Sequence, residues 1–238
     1  MKAFITGMGW VTARNLGCGR DNNKFEQKAG KLPDIARKDV FDTPYPHFGR
    51  LDRYSRLGLS AIAFALKDAG LDQWTHPRPI SIIASTVHGC LDTDLNFYDT
   101  VIPEDGRLAS PNLFAYTLPN SYLGEAAIRF GLTGASYVIS ESTPSELCCL
   151  RLALVGMASG QFDITLGGRC DLGQSPPYSE SDRTAGGALF FVIEQNNINA
   201  GAVYGTVDIG SRGELFFNGA RVKDLATLAR YCIAAGSN

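Results

Sequence analysis

Ser142, Thr143 and Glu146 lie in the stretch SESTPSELCCL (140–150), directly behind the strand-like run GASYVIS. A hydroxyl or thiol at the point where a strand turns into a helix is well placed to be a nucleophile, because the positive end of the helix favours an anion there. The same residues satisfy a second chemistry. Thr143 suits an N-cap, Pro144 the first helical position and Glu146 the third, where its carboxylate reaches back in a capping box. Capping accounts for Thr143 without catalysis, and a threonine hydroxyl acts as a nucleophile only beside a base. Cys148 and Cys149 sit more than one turn into the helix, where burial raises a thiol's pKa and blocks access, so core packing is expected of them.

The other reactive residue types are sparse. His88, in the loop STVHG near an expected sheet edge, is the one histidine near a place to act as a base, but it reads as a loop residue rather than a catalytic one. His47 and His76 complete the set of three, and none has metal-ligand spacing to another. The six cysteines form no C-x-x-C pair, so buried reduced thiols are expected, with no metal and no disulfide. The T-G-M-G near the start lacks a third glycine and a following helix, so no nucleotide cofactor is implied. Arg50, Arg53 and Arg56 form a basic cluster that suits either a solvated helix face or an acidic carrier protein.

Elements to position these residues follow from periodicity. A strand is expected over 1–7, then a loop to Arg20 and a polar, proline-punctuated excursion over 21–49. Helical spacing at Leu57, Ala61, Phe64 and Ala65 predicts a helix over 52–69, stopped by Gly70. A strand at 80–85 and a helix at 91–101 follow, then loop over 102–120 and a helix at 122–130 ending at Gly131. Strands at 136–140 and 162–166 flank a helix at 144–159 whose sequence is apolar on nearly every face, with Arg151 its only charge after Glu146. Such a helix must be covered all round, by this chain or by a partner. Runs 188–194 and 202–209 read as a hairpin, and Val222, Leu225, Ala229 and Cys232 share one side of a last helix over 222–234. Alternating strands and helices imply an α/β fold with a mixed sheet.

The chain has 238 residues, 45% of them hydrophobic, and a formal net charge of −2. That size fits one domain, and the charge balance gives no case for nucleic acid or an anionic membrane. No segment has the apolar length of a membrane span, and the start lacks a signal-peptide pattern, so a cytoplasmic location is expected. The ending RYCIAAGSN reads as a finished helix.

Several phrases, in order, resemble the N-terminal half of a β-ketoacyl-(acyl carrier protein) synthase of the thiolase-like superfamily. They are ITGMGWVTARNLG, RLDRYSRLGLSAIAFALKDAGL, SPNLFAYTLPNSYLGEAAIRFGLTGAS, ASGQFDITLGGRCD and GGALFFVIE. The resemblance covers residues 1 to about 210 and leaves 211–238 as a C-terminal extension of one domain, 1–238. It implies one thiolase-like half, a five-stranded mixed sheet with helices on both faces. The family reads T-A-C-A-S at its nucleophile elbow, where this chain has Glu141, Ser142, Thr143, Pro144 and Ser145. The cysteine is thus replaced by Thr143, and the family's two histidines come from a second half with no counterpart here. The resemblance implies a vestigial acyl pocket at Ser142, Thr143 and Phe114, and a dimer interface at Tyr137, Val138 and Ile139.

These departures point to a non-catalytic subunit of a type II fatty acid or polyketide system. It would pair with a full-length ketosynthase in a chain-length-factor-like role and meet an acyl carrier protein. Two alternatives stay open: an acyltransferase or thioesterase acting through Thr143 or Ser142 on carrier-bound acyl groups, and a homodimeric acyl-binding module.

Overall fold

The computed structural model describes residues 2–21, 24–141, 147–173, 185–196 and 202–236. Strands β1 (Lys2–Thr12) and β2 (Leu16–Cys18) lead into helix α1 (Arg53–Asp68) and strand β3 (Ile80–Thr86). Helices α2 (Leu91–Val101), α3 (Pro111–Phe114) and α4 (Ser121–Phe130) precede β4 (Ser136–Ser140) and α5 (Cys148–Ala158). Strands β5 (Ile164–Asp171), β6 (Gly187–Glu194), β7 (Gly205–Ile209), β8 (Leu215–Phe217) and β9 (Ala220–Val222) then lead to α6 (Leu225–Gly236).

The α/β class and mixed sheet are as expected, but among the described residues the sheet has nine strands rather than five, ordered β4-β3-β5-β6-β1-β7-β8-β9 with β2 paired to β1. Three of the additional strands, β2, β8 and β9, are only three residues long. That is too short for a period-two pattern to register. Runs β6 and β7 do not form the expected hairpin. Both pair antiparallel with β1, whose Phe4 faces Glu194 on one edge and Thr206 on the other. β1 is buried along nearly its whole length, which marks a central strand with neighbours on both sides.

Two strands run further than their glycines suggested. β1 continues past Gly7 because α1 crosses it closely: a Cβ at Gly7 or Gly9 would strike the Ala65 backbone. β5 continues through Gly167 and Gly168, which stay in register with Phe191 and Phe190 of β6. A Cβ at Gly168 would meet the Phe190 ring and the Leu189 carbonyl, so glycine marks close approach rather than a strand end. Helix signals fared better. Asp52 caps α1 by accepting from Ser55 N–H at 2.9 Å, and α4 ends on Gly131 at φ +62.

Alternation splits the core into two layers. Ala188, Phe190 and Val192 face one side with α1 and α4, while Leu189, Phe191 and Ile193 face the other with α5 and α6. The apolar helix α5 packs on β3 and β5 of the sheet. Cys149, Leu150, Ala153, Leu154 and Met157 join one cluster with Leu215, Phe217 and Val222, and with Leu225, Leu228, Ala229 and Cys232 of α6. Arg151 donates from Nε to the Gly213 carbonyl at 2.8 Å, tying α5 to the β7–β8 turn. The stripe of Cys148, Leu152 and Val155 stays partly open, with Val155 52% exposed.

Candidate functional site

Strands β3, β4 and β5 are parallel, so their carboxyl ends meet at one edge, with Thr86 opposite Ser140 and Ser85 opposite Arg169. In open α/β sheets such an edge is where ligands bind. The crossover from β4 to α5 leaves from it. Glu141 donates its N–H to the Thr86 carbonyl at 2.8 Å, and its Oε1 accepts from the Cys148 N–H at 3.1 Å. A carboxylate thus occupies the positive end of α5.

At the ends of β3 and β5 lies a buried carboxylate. Asp171 accepts from the Thr86 hydroxyl at 2.8 Å and from the Val87 and His88 N–H groups at 3.0 Å each. Its other oxygen takes the Arg169 Nε–H at 2.6 Å, and both side chains of this ion pair are buried. Thr86 in turn accepts from Gly89 N–H at 2.7 Å, and Gly89 turns the loop at φ +60. The loop carrying His88 is therefore fixed by its backbone, clamped to the end of β5. Sequence reasoning missed Glu141, Arg169 and Asp171. The signal for the last two was R-C-D closing an apolar strand, since charges two apart on a strand share a face.

The thiols at the head of α5 are not activated. Burial pushes the Cys148 thiol above its ordinary pKa, the Glu141 carboxylate pushes it further, and Arg151 opposes both. Cys149, fully buried, is pushed up to about 12, chiefly by desolvation. Cys149 packs in the core as expected, whereas Cys148 is only half-buried, on the open stripe of α5. Among the described residues no group of three or more His, Cys, Asp or Glu side chains is arranged to hold a metal.

Ser142, Thr143 and the expected capping box through Glu146 lie outside the described residues. Phe114 ends the short helix α3, 63% exposed, with its ring 5.4 Å from that of Phe97. Tyr137, Val138 and Ile139 occupy β4, the strand at one end of the sheet order, each half-buried. Tyr137 and Ile139 lean on the α5 side and Val138 on the α1 side. Arg50 and Arg53 are exposed, while Arg56 is half-buried and donates to the Gly49 carbonyl at 3.1 Å.

A mixed sheet with helix layers on both faces and a β4–α5 crossover at the carboxyl edge defines a thiolase-like α/β half. The chain belongs to the β-ketoacyl synthase family: the model of the beta-ketoacyl synthase N-terminal domain matches residues 19–188. Among curated proteins, it is 29% identical over 205 residues to "Putative polyketide beta-ketoacyl synthase 1" of Streptomyces halstedii, covering 74% of this chain and 47% of that protein. It is 28% identical over 136 residues to the protein of the same name in Streptomyces virginiae, covering 53% and 32%. The chain thus spans less than half the length of either relative.

Solved structures share the fold at lower identity. The ishigamide ketosynthase/chain length factor superposes with a TM-score of 0.67 at 16% identity, over 87% of this chain and 62% of that one. A ketosynthase in complex with its chain length factor from Xenorhabdus doucetiae gives 0.60 at 18%, over 82% and 80%. A type II acyl-carrier protein in complex with its ketosynthase gives 0.66 at 16%, over 87% and 67%. No helix among the described residues is long and apolar enough to cross a membrane.

Proposed function

We propose that this chain is a non-catalytic ketosynthase-like subunit that pairs with an active synthase in a chain-length-factor-like role. The observation that carries the reading is the chemistry at the head of α5. The position matching the family's nucleophile holds Thr143, and the nearby thiols of Cys148 and Cys149 are both pushed up rather than down. Solved neighbours that bear the names of ketosynthase and chain length factor support the pairing. In this reading Tyr137, Val138 and Ile139 meet the partner subunit along β4, and Arg50 faces an acidic carrier protein. Ser142, Thr143 and Phe114 line what remains of an acyl pocket.

Co-expression with the synthase and carrier protein encoded by neighbouring genes tests it. The expected result is co-purification with the synthase and an altered product chain length; neither occurring sinks the proposal. Acyl-carrier and acyl-CoA thioesters incubated with the chain should leave no covalent label. Mass spectrometry finding an acylated Thr143 or Ser142 peptide would turn the reading to an acyltransferase or thioesterase. A stable homodimer by light scattering that ignores the synthase would turn it to a self-paired acyl-binding module.

A further inference from the structure

A cavity of about 110 Å³ opens beside the first turn of α1, away from the β4–α5 crossover. Leu32, Ile35, Leu57 and Leu172 form its apolar wall, the first three of them buried. Arg53 and Arg56 stand at its rim, one helical turn apart on α1, so both guanidinium groups serve the same opening.

These guanidinium groups have donors to spare. Arg56 holds the Gly49 carbonyl with Nη2, but its Nε is buried without a hydrogen-bond partner among the described residues. Its Nη1 lies 4.0 Å from Asp34 Oδ1, and the Asp34 side chain is fully exposed. An ion pair so long and so well solvated holds little, and a better anion displaces it. Arg53 is exposed and reaches only the Leu32 carbonyl, at 3.4 Å. A buried donor left unmade is costly, whereas a carboxylate or phosphate meets guanidinium with paired, charge-assisted bonds.

We propose that this hollow is a binding site for a small amphiphilic anion, a carboxylate or phosphate head on a short aliphatic tail. The head bridges Arg53 and Arg56, and the tail enters between Leu32, Leu57 and Leu172. A cavity of about 150 Å³ accepts the six carbons of benzene, so this one accepts a tail of about four. The site does not rest on the pairing with a synthase, because none of these residues lies on β4 or in the crossover. An occupant would touch Leu172, the residue directly after Asp171, and so would contact the chain where it leaves the buried carboxylate.

The test is an amide chemical-shift titration of the full chain with butyrate, butyl phosphate, inorganic phosphate and butylammonium. Saturable shifts are expected at 32–35, 53–57 and 172 with butyrate or butyl phosphate, whichever head fits better binding more tightly. Inorganic phosphate, lacking a tail, should bind more weakly, and butylammonium should leave these amides unmoved. Arg53→Gln with Arg56→Gln should weaken binding by about tenfold or more, and the amide spectrum itself reports whether that variant is folded. Asp34→Asn removes the competing carboxylate from a fully exposed position and should tighten binding. The proposal is overturned if butylammonium moves the same amides, if the double variant titrates like the parent, or if Asp34→Asn weakens binding.

Discussion

A thiolate needs a positive neighbour or solvent, and none of the six cysteines gets enough of either. Desolvation is the largest cause at every one, raising Cys18, Cys90 and Cys149 to about 12 and moving Cys148, Cys170 and Cys232 the same way. At Cys148 the head of the helix should help, yet the Glu141 carboxylate already holds that end by accepting the Cys148 N–H. Raised native values stabilise the protonated thiols relative to the unfolded chain. That contribution is complete below the unfolded thiol pKa near 8.5–9 and is lost as pH climbs toward the native values. Each fully buried thiol, Cys149, Cys170 and Cys232, then removes about 1.4 kcal/mol of stability per pH unit over that window. Urea midpoints should therefore stay level up to about pH 8.5 and fall steadily by about pH 10.5. A midpoint that holds flat through that range, or rapid iodoacetamide labelling of Cys148 at neutral pH, contradicts this account of the thiols.

Elements were more legible than the connections between them. Leu57, Ala61, Phe64 and Ala65 gave α1, and Gly70 and Gly131 gave helix stops, because caps and 3.6-residue periodicity are local properties. The span of α2, 91–101, and that of β4, 136–140, came out at their expected residues. The β6–β7 hairpin failed because strand order is not local: β1, some 180 residues earlier, inserts between them. At the site the sequence pointed to the β4–α5 crossover, but Glu141 and Asp171 act through partners far along the chain and left only the R-C-D hint. The sequence posed one question at this scale, namely what covers α5: β3, β5 and β7 take one side, and the stripe of Cys148, Leu152 and Val155 stays partly open. Buried and open positions of this layer should then respond differently to mutation. Leu228→Ala, at a fully buried position of α6, should cost about 2–5 kcal/mol in urea unfolding. Val155→Ser, on the open stripe of α5, should change stability by no more than about 1 kcal/mol. Equal losses at both positions would mean that the stripe of α5 is as well packed as the inner face of α6.

At the scale of the whole molecule the two ends of the sheet are unlike. β9 is three residues long, carries an exposed Arg221 and runs straight into α6, the features that blunt an edge. β4 is five residues long with no charge, presenting Tyr137, Val138 and Ile139 half-buried on both sides of its ladder with β3. An uncharged edge flanked by apolar side chains on both faces is a template for another strand. Under the proposed role, this edge and the open stripe of α5 would be where the partner subunit docks. Ser136 and Ser140, at either end of β4, are exposed, so lysines there add edge charge without removing a buried group. The variant Ser136→Lys with Ser140→Lys should keep the parent's thermal midpoint and lose association with a co-expressed synthase. Unchanged association at an unchanged midpoint would move the partner surface off β4, leaving the proposed role to rest on the chemistry of the crossover alone.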